Sequence, residues 1–208
     1  MNPLPDDSIK RSALIMLAIA LIVSAIKPYD RPTWLLEIFP VLLGVPLLLW
    51  FDRRRQVTHL LFVLVVLHSL VLILGGAYTY ARVPLGFWMQ EWFGLMRNDY
   101  DRIGHFMQGF VPALITREVL LRAARLGNRH FLAFLCICVS LAVSASYELI
   151  EWWVALALGK GADEFLGTQG DPWDTQSDMF MALIGAACSM AILPKMHDRA
   201  LARLRPAT

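Results

Sequence analysis

Residues 57–75 read Val57-Thr-His-Leu-Leu-Phe-Val-Leu-Val-Val-Leu-His-Ser-Leu-Val-Leu-Ile-Leu-Gly75, a run too long and too apolar for an ordinary strand. A helix needs about 20 mostly apolar residues to cross the hydrocarbon core of a bilayer. Five further runs of this kind lie at 12–27, 33–51, 103–121, 131–157 and 177–194. The sequence therefore predicts an all-α polytopic membrane protein with about six transmembrane helices. We expect residues 1–208 to form a single integral-membrane helical domain.

The composition agrees with this class of protein. Of the 208 residues, 57% are hydrophobic and only 17% are charged, whereas about a quarter of a soluble domain is charged. A net charge of +2 gives no reason to expect a nucleic-acid partner, so membrane lipids are the expected surroundings. Cys136, Cys138 and Cys188 all lie in apolar runs, which argues against a disulfide framework.

The basic residues divide unevenly between the segments that join the runs. With a cytoplasmic N-terminus, the cytoplasmic segments hold 13 of the 19 Lys and Arg residues, namely Lys10, Arg11, Arg53, Arg54, Arg55, Arg117, Arg122, Arg125, Arg129, Lys195, Arg199, Arg203 and Arg205. The external segments hold only Lys27, Arg31, Arg82, Arg97, Arg102 and Lys160. Because Lys and Arg favour the cytoplasmic side, this predicts a bacterial inner-membrane protein with both termini in the cytoplasm.

Aromatic residues mark the opposite side. Six of the seven tryptophans fall in or near the predicted external segments: Trp34, Trp88, Trp92, Trp152, Trp153 and Trp173. Residues 85–96 are too short to cross a bilayer, and their aromatic content favours a short periplasmic helix that lies in the membrane interface.

Acidic residues and one histidine recur in pairs at this same side. Asp101 and His105 stand four residues apart, Asp174 and Asp178 also stand four apart, and Glu148 stands three before Glu151. Residues three or four apart share one helix face, and ionisable groups within a membrane are costly enough to be functional candidates. The spacing predicts a periplasm-facing cluster whose candidate catalytic residues are His105, Glu148, Asp178, Asp101 and Asp174.

Two chemistries fit such a cluster. Carboxylates with one imidazole suit a divalent metal ion, for which His105, Glu148 and Asp178 are the candidate ligands. Alternatively, crowded carboxylates supply an acid and a base, and His105, oriented by Asp101, is the candidate for the base. Arg82 and Glu151 are candidates for contacting a substrate, since Arg82 can hold a phosphate or carboxylate.

Structural interpretations of the same residues stay open. Asp174 and Asp178 fit helix capping, Asp101 fits an ordinary first-turn acid, and His105 fits a satisfied buried histidine. Glu148 fits a structural ion pair with Arg102 or Arg82. A basic cluster on the cytoplasmic side, Arg117, Arg122, Arg125 and Arg129, is typical of a topology and lipid anchor.

Four stretches resemble a known family, the YjdF-type branch of uncharacterised bacterial inner-membrane proteins within the VanZ-like superfamily. They are Ala77-Tyr-Thr-Tyr-Ala-Arg-Val-Pro-Leu-Gly-Phe-Trp88, Asp101-Arg-Ile-Gly-His105-Phe-Met-Gln108-Gly-Phe110, Tyr147-Glu148-Leu-Ile-Glu151-Trp152 and Gly170-Asp171-Pro-Trp173-Asp174-Thr-Gln176-Ser-Asp178. The resemblance implies a small multi-helix membrane protein of the cell envelope. It also implies that the family's recurring polar positions fall on Asp101, His105, Glu148, Asp174 and Asp178.

Three hypotheses for function follow. The first is a protein that acts on or binds a lipid-linked or phosphorylated envelope substrate. The second is an ion-coupled transporter, and the third is a structural or assembly protein without catalysis. Whether the protein is an enzyme, and whether it uses a divalent metal, are left open by the sequence.

Overall fold

The computed structural model describes residues 5–159, 166 and 168–204, and its regular elements there are all helical. We number them α1 Pro5–Ile26, α2 Arg31–Arg55, α3 His59–Tyr78, α4 Pro84–Phe93, α5 Tyr100–Arg122, α6 Arg129–Leu158, α7 Asp174–Ile192 and α8 Pro194–Ala202, with a 3-10 turn at Tyr80–Arg82. Lys160 and Arg205, which entered the charge count, lie outside the described residues.

The predicted all-α polytopic class is confirmed. Among the described residues, α1, α2, α3 and α6 are each long and apolar enough to cross a membrane, and α7 with α8 makes a fifth span if the pair, bent by 58°, counts as one. Helix α5 covers the remaining predicted run and has 23 residues. Helix α5 is less apolar than these helices, because it carries charged residues near both ends. These are Asp101, Arg102, Arg117, Glu118 and Arg122.

Helix α5 lies at the centre of the bundle. It packs against α3, α6 and α7, while α1 and α2 pack against α3. The approach to α7 is especially close, because a Cβ on Gly109 would overlap the Ala182 carbonyl oxygen and one on Gly185 would overlap the Phe106 carbonyl oxygen. Small residues of this kind let membrane helices meet at their backbones. The crossing fixes the start of α5 beside the start of α7.

The end of α5 opposite to Tyr100 holds a buried polar network. Glu118 is 1% exposed and accepts hydrogen bonds from Thr58 at 2.8 Å and Arg122 at 2.7 Å. Arg117 can only donate, so the Nδ1 of His197, 2.7 Å from it, accepts. The His197 Nε2–H therefore donates to Glu118 over 3.0 Å. Within the predicted basic anchor, Arg117 thus binds inside the bundle, while Arg125 and Arg129 are exposed. Arg122 is half-buried and also donates to the carbonyls of Arg55 and Gln56.

The short interfacial helix predicted over 85–96 is α4, Pro84–Phe93. It starts at a proline and ends at Gly94, which adopts the left-handed conformation that glycine tolerates without strain. Trp88, Trp92 and Phe93 on this helix are exposed. We call the end of the bundle that carries α4 and the start of α5 the aromatic end.

Candidate functional site

Three helices meet at the aromatic end and bring the predicted pairs together. Asp101 and His105 lie on the first turns of α5, Glu148 lies in the C-terminal half of α6, and Asp178 lies near the start of α7. The segments that precede α5 and α7 are joined by two hydrogen bonds between Asn98 and Gln169. The Asn98 N–H donates to Gln169 Oε1 over 3.2 Å, and Gln169 Nε2 donates to the Asn98 carbonyl over 2.8 Å.

His105 is the hub of the cluster. Its Nε2 lies 3.4 Å from Asp101 Oδ1 and 3.8 Å from Asp178 Oδ1, and its Nδ1 lies 3.8 Å from Glu148 Oε1. The imidazole is 6% exposed, so this contact takes place inside the bundle. One ligand atom each from Asp101, His105 and Asp178 lies within 4.8 Å of the others, which is the geometry of a candidate metal site.

Acceptor oxygens face both ring nitrogens of His105. Nδ1 lies 2.9 Å from the amide oxygen of Gln108, and Nε2 lies 3.4 Å from Asp101 Oδ1. Both oxygens can only accept, so the ring is placed to donate from both nitrogens. Nε2 is the nitrogen nearest Asp101 and Asp178, so a metal ion held by those carboxylates would replace the proton on Nε2.

Glu148 has an unsatisfied oxygen. Its side chain is 6% exposed, and its buried Oε1 has no hydrogen-bond partner among the described residues. Among the described residues it forms no ion pair with Arg102 or Arg82. Arg102 instead contacts Asp178, and it lies 3.2 Å from Asp174 and 3.4 Å from Asp171. Leaving a buried carboxylate oxygen unpaired is costly, so this oxygen marks a place where a ligand is expected.

A layer of ion pairs covers the cluster from the aromatic end. Arg97 binds Asp174 at 2.6 Å and Asp99 at 3.0 Å, and its NH1 donates to the Thr168 carbonyl. Partial burial works to lower the pKa of the Arg97 guanidinium, but the hydrogen bonds and charges of Asp174 and Asp99 outweigh it and raise that pKa above its usual value.

The first turn of α7 does not use Asp174 or Asp178 as the predicted helix cap. The helix has Trp173 at its N-cap position, with no side-chain cap hydrogen bond. Asp174 is engaged by Arg97 and Asp178 by Arg102. Asp174 therefore belongs to the ion-pair layer. Asp178 contacts both Arg102 of this layer and His105 of the cluster.

A cavity of about 190 Å³ extends from this cluster into the bundle. Its wall includes Asp101 and His105, and the other polar side chains among the described residues that line it are Glu37, His68, Tyr80, Gln108, Tyr147 and Glu151. The predicted residue Glu151 thus faces the cavity. Arg82 is not among the described residues that line it, and its guanidinium lies 4.3 Å from the ring centre of Tyr29.

Glu37 is the site residue that the sequence reasoning missed. It is 4% exposed on α2 and accepts a 3.2 Å hydrogen bond from the hydroxyl of Tyr147 on α6. The available signal was an acid in the first part of the apolar run 33–51, which is costly in lipid unless it faces the bundle interior.

Comparison with known proteins places the chain among membrane proteins of undefined activity. Residues 9–199 match the family described as "Predicted membrane protein (DUF2238)". The chain is 54% identical over 195 residues to "Inner membrane protein YjdF" of Escherichia coli (strain K12), an alignment that covers 94% of this chain and 93% of that protein. No solved structure matches.

Proposed function

The chain belongs to the DUF2238 family of predicted membrane proteins, and we propose that it carries a periplasm-facing divalent-cation site that acts on or binds a lipid-linked or phosphorylated envelope substrate. The finer kinship with the VanZ-like superfamily is part of this proposal. It is supported by the recurring polar residues Asp101, His105, Glu148, Asp174 and Asp178.

One observation carries the proposal: a buried imidazole nitrogen and two carboxylates converge beside an unsatisfied carboxylate. Asp101, His105 and Asp178 supply two oxygen atoms and one nitrogen atom, a set suited to Mn²⁺ or Mg²⁺. A cation in their midst would also neutralise the buried Glu148. Asp178 would then exchange part of its contact with Arg102 for the metal.

The substrate class is supported by the surroundings of the site. Trp88, Trp92 and Trp173 are exposed at the aromatic end, and indole rings favour the depth of lipid headgroups. A bound divalent cation attracts phosphate oxygens and stabilises charge that develops on them. A phosphorylated lipid in the external leaflet would therefore meet the site at the height of its headgroup.

Equilibrium binding of Mn²⁺ to the full chain in detergent tests the proposal. We expect one high-affinity Mn²⁺ per chain. His105→Ala should weaken binding by more than about 100-fold and Glu148→Gln by about 10-fold, because one removes a ligand and the other a supporting charge. His130→Ala is the matched control, since His130 is exposed at the far end of α6. Equal Mn²⁺ affinity in His105→Ala and His130→Ala would refute the metal site.

The reaction itself is tested by reconstituting the protein with bacterial inner-membrane lipids and following phosphate release and lipid products by mass spectrometry. We expect wild type and His130→Ala to give the same product. His105→Ala, or the wild type with chelator, should give none. Products that are independent of both His105 and metal would contradict the proposal.

One observation favours an ion-coupled transporter as a second candidate. The cavity reaches His68 and Pro112, each near the middle of its helix, so that titratable groups continue below the cluster. Buried carboxylates and histidines can relay protons. In liposomes, this candidate predicts proton or solute flux that His68→Ala abolishes and His130→Ala keeps. Sealed liposomes without such flux would exclude it.

The third hypothesis, a structural protein without chemistry, expects a dry and fully paired cluster. The 190 Å³ cavity and the unpaired Glu148 oxygen speak against it.

A further inference from the structure

The inner part of the cavity has carboxylates without a basic partner among the described residues. Glu37 is 4% exposed, and within the described part of the chain its side chain accepts one hydrogen bond, from the Tyr147 hydroxyl to Oε2. Glu151 lines the same cavity and forms no ion pair with any described residue. Within a membrane, acids pair with one another, with bases or with a ligand, because an isolated charge is costly.

The nearby arginines do not supply the missing charge. Arg97 and Arg102 bind Asp171, Asp174 and Asp178 in the ion-pair layer, and neither lines the cavity. The basic side chains among the described lining residues are His105 and His68, against three carboxylates. His105 is already surrounded by Asp101, Asp178 and Glu148. Acidic groups therefore outnumber basic groups on the described wall, which favours a cationic ligand that would keep these carboxylates ionised.

The rest of the wall favours an organic cation over a second metal ion. The Tyr80 and Tyr147 side chains line the cavity together with Pro40, Leu72 and Val143. The Tyr80 ring is held in place by Gly75 and Gly104, where any Cβ would overlap the ring or press against it. Aromatic rings attract ammonium groups, whereas a hard metal ion prefers a shell of oxygen ligands.

The size of the cavity fits such a group. One water molecule needs about 10–15 Å³ of the same measure of volume, so 190 Å³ holds a group of several heavy atoms. Glu37 and Pro40 on α2 line the cavity opposite Val143, Tyr147 and Glu151 on α6. The cavity therefore lies between α2 and α6.

We propose that Glu37 and Glu151, with the rings of Tyr80 and Tyr147, form a subsite for the ammonium group of the substrate. The inference deepens the proposed function and rests on it. It names the substrate as a molecule with both a phosphate, which faces the metal site, and a primary ammonium group, which enters this subsite. Asp101 and His105 belong both to the candidate metal site and to the wall of the cavity. One molecule can therefore occupy the metal site and the ammonium subsite at once. An aminated lipid headgroup and a free amino-alcohol phosphate share this chemistry.

Binding measurements with two probes test the subsite. The full chain in detergent is titrated with ethanolamine by calorimetry. In parallel, nanodisc-embedded protein containing equal amounts of phosphatidylethanolamine and phosphatidylglycerol is analysed by native mass spectrometry. Glu37→Gln and Glu151→Gln remove one charge each. Glu91→Gln is the matched control, because Glu91 is exposed on α4.

We expect wild type and Glu91→Gln to bind an amine probe equally. Glu37→Gln and Glu151→Gln should each bind it at least about tenfold more weakly, as expected when one member of a buried charge pair is removed. Retention of phosphatidylethanolamine over phosphatidylglycerol would assign the lipid as the source. Binding of ethanolamine without lipid preference would assign a soluble amine.

The subsite is refuted if wild type binds neither probe, or if both glutamine variants bind as tightly as Glu91→Gln. Measuring Mn²⁺ affinity on the same samples separates this from the proposed function. Glu37→Gln should keep wild-type Mn²⁺ affinity, which also shows that it folds. Wild type that binds Mn²⁺ but no amine overturns the subsite alone. Wild type that binds the amine but no Mn²⁺ overturns the metal site while the cationic subsite stands.

Discussion

Replacing Gly109 with alanine should both loosen the bundle and open the candidate metal site. The new Cβ would overlap the Ala182 carbonyl oxygen, so α5 and α7 must separate by about 1.5 Å to restore an ordinary C···O distance of about 3.3 Å. Overpacking of this kind costs about 1–3 kcal/mol, and the obstacle here is backbone that cannot rotate away. A gain of about 1 kcal/mol in helix propensity opposes it, which leaves a net loss of up to about 2 kcal/mol.

The same displacement reaches the site, because His105 lies one turn above Gly109 on α5 and Asp178 one turn above Ala182 on α7. Their 3.8 Å separation would grow to about 5 Å, while metal–oxygen bonds are about 2.0–2.6 Å long. Denaturant unfolding in detergent measures the stability, and Mn²⁺ titration measures the site, where we expect at least a tenfold loss of affinity.

Gly44→Ala is the matched control for this prediction. Gly44 also lies within a membrane helix, but a Cβ there has no neighbour within 4 Å. That variant should be as stable as wild type or slightly more stable, with unchanged Mn²⁺ affinity. If Gly109→Ala matches Gly44→Ala in both measurements, the described α5–α7 contact is incorrect.

Further predictions concern the opposite end, the loop before α5 and the orientation. Glu118→Gln should lower the free energy of unfolding by about 2–3 kcal/mol, because three donors converge on this buried carboxylate. The affinity for Mn²⁺ should not change. An unaltered unfolding midpoint would contradict the described hydrogen-bond network. Asn98→Ala should lower the free energy of unfolding, measured with heat or denaturant, by about 1–3 kcal/mol. The Asn98 side chain donates to the Val83 carbonyl and accepts from the Tyr100 N–H. A variant as stable as wild type would show that these two hydrogen bonds are not formed. Met96→Cys, fully exposed at the aromatic end, should react with a membrane-impermeant maleimide in intact spheroplasts, whereas Arg54→Cys should not. The reverse labelling would place the site in the cytoplasm.

Apolar runs alone predicted most of the helices. The run 57–75 became His59–Tyr78 and the run 131–157 became Arg129–Leu158, with ends that differ by a few residues. Length and hydrophobicity are sufficient here because a backbone in lipid must satisfy its own hydrogen bonds. The bend of 58° lies where the predicted run 177–194 ends, at Pro194. The sequence therefore indicated the end of α7, but not the short helix α8 that follows it.

The site was predictable only in part, because spacing reports faces of single helices and not contacts between helices. Asp101 and His105 share a face by local geometry, and their approach to Asp178 followed from a shared membrane side. The bond between Glu37 and Tyr147 joins residues 110 positions apart. Nothing local in the sequence specifies that pairing. Likewise, Arg102 forms its ion pair with Asp178 and not with Glu148. That pairing depends on how α5 and α7 cross.

A metal site shared by α5 and α7 requires His105 to bind the ion directly. Electron–nuclear double resonance on Mn²⁺ bound to protein labelled with ¹⁵N-histidine measures it directly. We predict one directly bound histidine nitrogen in wild type and in His130→Ala, and none in His105→Ala. A spectrum without histidine nitrogen coupling in wild type, or with the same coupling in His105→Ala, would contradict the account.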